Sequence, residues 1–134
     1  MTNGELREKF FDFLLKKTCT AKQARDFLEK HNSEDIDALM IEAEGMGLVD
    51  DLAYAKLFVD GHLSWGNMKI IYELSARGVS RSDINAALDE AEDECERAKG
   101  LAEGWRSSGL EDRKIIARLT SRGFTNRAVR SVIE

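Results

Sequence analysis

The sequence predicts an all-α chain, a tandem array of three three-helix, helix-turn-helix-like repeats with an elongated and curved shape. Three observations lead there. Lys69–Leu88 (KIIYELSARGVSRSDINAAL) returns as Lys114–Ile133 (KIIARLTSRGFTNRAVRSVI) at a constant offset of 45, without a gap. The pairs Lys69/Lys114, Ile70/Ile115, Ile71/Ile116, Leu74/Leu119, Arg77/Arg122 and Gly78/Gly123 are identical, and apolar character is kept at Val79/Phe124, Ile84/Val129, Ala87/Val132 and Leu88/Ile133. The chain has no proline, so no helix interior is forced to break, and its glycines stand singly, as helix-ending residues do.

Residues 1–49 read as a degenerate first unit. Phe10–Lys17 supplies its first helix. Thr20–Lys30 supplies the second, with Thr20 as N-cap and Ala24, Phe27 and Leu28 as its apolar face. Asn32 stands where later copies have glycine, and asparagine is the next-best residue for a left-handed turn. Ser33 is expected to cap the third helix, which runs through Ile36, Leu39, Met40 and Ala43 before Gly45 and Gly47 stop it.

Residues 50–92 form the second unit. Asp50 or Asp51 caps a helix whose buried face is Tyr54, Ala55, Phe58 and Val59. Ile70, Ile71 and Leu74 make the stripe of the next helix, Gly78 ends it, and Val79 plugs the turn. Ser80 or Ser82 then caps a short helix with Ile84, Ala87 and Leu88 facing inward. In the third unit, residues 93–134, Ala98–Ser107 matches Ala55–Ser64 at an offset of 43. A two-residue insertion near Gly109 reconciles the two offsets, and Thr125 is the last N-cap. Each unit is thus expected to hold a long, a medium and a short helix. A unit of this size buries little apolar surface alone, so the three should stack.

Net charge is −5 but unevenly spread: residues 99–134 carry eight Lys/Arg against four Asp/Glu, while both earlier segments are acidic. The chain as a whole is a poor general binder of nucleic acid, and only its last third can face phosphates or an acidic protein surface. No phosphate-cradling glycine loop, zinc motif or nucleophile elbow occurs, so neither catalysis nor a metal or other cofactor is expected. His31 falls near a helix C-terminus, and His62 aligns with Trp105 in a packing or surface position. The acidic run Asp89–Glu96 reads as a solvated junction. Cys19 and Cys95 read as two reduced thiols. Trp65 and Trp105 fit either half-buried anchors on the first helices or exposed binding residues. As a major-groove reader, the second unit would present acids on Ser82–Asp89; only the third, with Arg127 and Arg130, could meet DNA. No stretch is long and apolar enough for a membrane span, no apolar signal-peptide core follows Met1, and a cytoplasmic monomer is expected.

Gly47–Val59, GLVDDLAYAKLFV, together with Leu74-Ser-Ala-Arg-Gly78 and its echo Leu119-Thr-Ser-Arg-Gly123, resembles the RecX family over about residues 10–134. Two departures stand out: His31-Asn32 replaces the family's basic-glycine pair, and the first two units are net acidic. The resemblance implies a regulator of the RecA recombinase that binds along the RecA–DNA filament, lodges in its helical groove and blocks its extension or recombination activity. The residues expected to make the contacts are the repeated cations Lys69, Arg77, Lys114 and Arg122, with Arg113, Arg118, Arg127 and Arg130 added in the third unit; they lie beside the apolar stripe and should reach solvent. Single-stranded DNA would be met through the filament or through the basic last repeat. A stand-alone helical DNA-binding module and a scaffold for another protein are the alternatives.

Overall fold

The computed structural model describes residues 2–134, and the described residues form nine helices: α1 (Asn3–Lys16), α2 (Ala21–Lys30), α3 (Ile36–Gly45), α4 (Asp51–Asp60), α5 (Asn67–Ala76), α6 (Arg81–Glu90), α7 (Glu94–Ser107), α8 (Asp112–Ser121) and α9 (Asn126–Ile133). They pack in threes around three separate apolar clusters. The first gathers Phe10, Leu14, Leu28, Met40 and Val49, and the second gathers Ala55, Val59, Ile70, Leu74 and Ile84. The third gathers Ala98, Ile115, Leu119, Phe124 and Val129. The accessible surface is 8183 Å². A compact monomer of this mass would expose roughly 7,100 Å². The excess is what an extended array of small cores leaves uncovered.

Local chemistry sets most boundaries as the sequence suggests. Thr20, Asp50, Ser80 and Thr125 each accept a hydrogen bond from a backbone N–H in the first turn of the helix that follows. Gly78, Gly123 and Asn32 all take positive φ (86°, 85° and 55°) where a helix must end. Val79 and Phe124 are buried directly after those turns.

Four expectations need correction. The first helix starts at Asn3, not Phe10, because Thr2 accepts from the Glu5 N–H and Leu6 extends the buried stripe by one turn. Asp35, not Ser33, is the N-cap of α3; Ser33 Oγ instead accepts from the Asp35 N–H. The second unit has no long helix: α4 ends at Asp60, and the residues matching the last turn of α7 form a turn that carries Trp65, which is therefore not on the first helix. The insertion is absorbed by this four-residue extension of α7 and a shorter connection behind it. Finally, Gly100 and Gly104 lie inside α7 rather than at its end. The buried Ala98 and Ala102 face carries the helix through them, against a propensity cost of about 1 kcal/mol each.

The units meet end to end, by one repeated device. The start of a middle helix sits on the glycine turn that ends the middle helix of the next unit. Lys22 on α2 lies against Gly78 after α5, and Thr20 Oγ1 donates to the Arg77 carbonyl at 2.6 Å. Lys69 on α5 lies against Gly123 after α8, and the Gly66 and Met68 N–H groups donate to the Arg122 and Gly123 carbonyls at 2.9 and 3.0 Å. In both junctions a helix N-terminus, with its spare N–H groups, faces the spare carbonyls of a helix C-terminus. An acid completes each one. Asp51 accepts from the Ala21 N–H at 2.8 Å, and Glu94, its counterpart at the offset of 43, accepts from the Asn67 N–H at 2.7 Å.

Cys19 is buried beside the first junction, where burial first, and Asp51 second, push its thiol pKa up. Cys95 is half-exposed. In the native protein one thiol, Cys95, is expected to react readily with a disulfide reagent at mildly alkaline pH, and Cys19 only after denaturant is added. Two equally fast thiols would show that the first junction opens freely.

Candidate interaction surface

The sequence-predicted cations fall in three places. Lys114, Arg118 and Arg122 recur every fourth residue from the start of α8 to its C-cap, on one face about 6 Å apart. Lys69 and Arg77 occupy the matching ends of α5, with Glu73 between them where α8 has Arg118. Arg127 and Arg130 lie elsewhere, on α9, in a polar cleft shared with Asp93, Glu96, Lys99 and Glu134. Arg113 is exposed in the first turn of α8, one residue away from the stripe.

Aromatic rings hold four of these side chains. The Arg118 and Arg122 guanidinium carbons lie 5.4 and 5.1 Å from the Trp105 ring centre. Lys69 Nζ lies 4.1 Å from the Trp65 ring, and the Arg77 guanidinium 4.9 Å from that of Phe58. Arg77 also pairs with Glu73 at 2.9 Å. Stacking of this kind fixes long cationic side chains while leaving their charge facing water. Both tryptophans are half-buried anchors in their clusters and at the same time cation platforms. By contrast, Arg113, Lys114, Arg127 and Arg130 have neither an ion pair nor a ring beneath them among the described residues.

The histidines are structural. His31 Nδ1 faces the Phe27 carbonyl at 2.9 Å and His62 Nδ1 the Phe58 carbonyl at 2.7 Å, each ring stacked on that same phenylalanine. The neutral tautomer that donates from Nδ1 satisfies both contacts.

The acidic run Asp89–Glu96 is not uniformly solvated. Five of its acids are exposed, but Glu94 is buried and accepts from Asn67 N, Thr125 N and Thr125 Oγ1. Beside it, buried Arg97 donates to the carbonyls of Leu63, Glu92 and Trp65 and to Asn67 Oδ1, at 2.8–3.2 Å. Burial pulls the Arg97 pKa down, and Glu94, then Glu92 and Asp93, oppose it. Sequence reasoning missed this pair because a charged run usually points to water. One signal was present: Glu94 falls on Asp51, the second acid of the Asp50-Asp51 motif, at the offset of 43.

No helix of the described residues is long and apolar enough to cross a membrane.

Comparison with known proteins follows the same lines. Residues 50–88 match the family model described as RecX, second three-helix domain. The regulatory protein RecX of Chromohalobacter salexigens is 36% identical over 107 residues, which is 75% of this chain and 70% of that protein. The regulatory protein RecX of Pectobacterium atrosepticum is 27% identical over 136 residues, 96% of this chain and 84% of that protein. The crystal structure of RecX from Lactobacillus salivarius superposes with a TM-score of 0.83 at 23% identity, over 98% of this chain and 94% of that one. Repeat architecture, the Gly47–Val59 motif and sequence identity converge: the chain belongs to the RecX family of regulatory proteins.

Proposed function

We propose that the chain regulates the RecA recombinase by binding along the RecA–DNA filament and restraining its recombination and ATP-hydrolysing activity. The observation that carries this reading is the extended array of a RecX regulatory protein, with ring-anchored cations on successive middle helices. An extended array suits a repeating groove better than it suits a cleft for a small substrate. In this reading residues 1–49, 50–92 and 93–134 act as three linked modules, and ATP hydrolysis and its cofactors belong to RecA. The chain works as a monomer in the cytoplasm, beside its partner.

The test is co-sedimentation with RecA assembled on single-stranded DNA, together with the DNA-dependent ATPase rate. Binding with a falling rate at stoichiometric levels is expected. No co-sedimentation and no change in rate would overturn the reading. The unpaired Arg113, Lys114, Arg127 and Arg130 favour a second reading, direct binding to DNA without RecA. Steeply salt-dependent binding to a bare oligonucleotide would select it.

A further inference from the structure

The three middle helices follow one another end to end, and each carries a charged stripe at every fourth residue. On α8 the stripe is Lys114, Arg118, Arg122; on α5 it is Lys69, Glu73, Arg77; on α2 it is Lys22, Asp26, Lys30. Lys69 lies against Gly123, next to Arg122, and Lys22 lies against Gly78, next to Arg77, so one stripe hands over to the next at each junction. The outer two positions are cationic in all three units. Only the central position changes sign, and where it is acidic it is spent on a neighbour: Glu73 pairs with Arg77, and Asp26 with Lys22. In the third unit Arg118 has no acid and rests on Trp105.

We infer that these stripes form one contact ridge for a protein surface, and that the central residue of each, Asp26, Glu73 and Arg118, sets how strongly its unit grips. This rests on the reading of the chain as a filament binder and names the part of it that touches the partner. The partner is a protein rather than a nucleic acid. A plus-minus-plus pattern in two units out of three complements a surface of mixed charge, whereas a phosphate backbone is uniformly negative and would be repelled by Asp26 and Glu73. The partner's own acidic side chains would lie opposite α8, the stripe with no acid.

The internal repeat supplies the experiment. Arg118→Glu gives the third unit the pattern of the second, and Glu73→Arg gives the second the pattern of the third. Affinity of each full-length variant for RecA on single-stranded DNA is measured by co-sedimentation across a salt series, with the bare oligonucleotide in parallel and circular dichroism to check folding. Arg118→Glu is expected to weaken filament binding about three- to tenfold at low salt, and Glu73→Arg to strengthen it by a similar factor, both effects shrinking as salt rises. Arg118→Gln, which only removes the charge, should fall between wild type and Arg118→Glu. The inference is overturned if wild type binds the filament and neither swap changes its affinity. It is also overturned if the bare oligonucleotide binds as tightly as the filament and responds to the swaps in the same way. If wild type does not bind the filament at all, the failure lies with the functional reading.

Discussion

Arg97→Ala is expected to lower the thermal midpoint by about 10 °C or more and to split the melting curve, with the third unit unfolding ahead of the other two. The guanidinium is buried and reaches three carbonyls and one side-chain amide, from the Leu63–Asn67 turn on one side and from Glu92 on the other. Alanine would strand all four acceptors and leave buried Glu94 without the cation beside it. Leaving a buried acceptor without its donor costs about 1–3 kcal/mol, so losing a donor shared by four acceptors should cost several kcal/mol. For a chain of this length each kcal/mol moves the midpoint by a few degrees. Because each unit has its own apolar cluster, the damage should stay at the junction and uncouple neighbours rather than melt every core at once. Arg97→Lys keeps a charge but cannot bridge four acceptors in a fixed fork, so it should recover only part of the loss. Calorimetry across the three proteins checks the order. A shift of a degree or two for Arg97→Ala would mean that water replaces the guanidinium freely.

The same junction explains what was legible in the sequence and what was not. Periodicity reports on the inside of a unit. Ile70, Leu74 and Ile84 repeat because each unit builds its own core, and the repeat shows that core directly. Junction residues act once per interface and are read only when two copies are compared at the right offset. Asn32 makes the point. It shares the left-handed turn of Gly78 and Gly123, yet those two positions also demand the absence of a side chain, because a Cβ would come within 2.5 Å of Lys22 Cβ and Lys69 Cβ respectively. No hydrogen bond joins the His31–Asn32 turn to another unit among the described residues, so backbone conformation is its only constraint and asparagine meets it. The substitution that marks the first unit as a degenerate copy is thus the residue expected at an undocked turn.

The cationic ridge was legible as a list of residues but not as an object. Lys69, Arg77, Lys114 and Arg122 stand out through their identity at the offset of 45. Their alignment along successive helices depends on how units dock, and helix ends, not apolar stripes, decide that. Charge and membership of the third unit group Arg127 and Arg130 with them, but the turn at Gly123 places these two on a different helix, beside Asp93 and Glu96.

Gly66→Ala and Gly104→Ala are expected to move stability in opposite directions, although each adds one methyl group to a glycine with ordinary backbone angles. Gly66 has a φ of −77°, which any residue adopts, so its glycine is not there for conformation. It is there for approach: a Cβ would overlap Phe124 N, Phe124 Cα and Gly123 C, all backbone atoms that no rotamer change can move. The Gly66 N–H and the Met68 N–H hold that same strand of chain by two hydrogen bonds, so relief means giving up both. A loss of about 3 kcal/mol is expected, at the upper end of overpacking in a well-packed site. At Gly104 a Cβ meets nothing within 4 Å, and alanine there should add about 1 kcal/mol of helix propensity. Denaturant titration of both variants against wild type measures the difference. The first junction sharpens the case. There Thr20 occupies the matching N-cap and reaches the Arg77 carbonyl through its hydroxyl, where Gly66 reaches the Arg122 carbonyl through its backbone N–H. If Gly66→Ala were tolerated, the second junction would have to open at this point, and the hydrogen bond that the Asn67 N–H donates to Glu94 across it would have to lengthen.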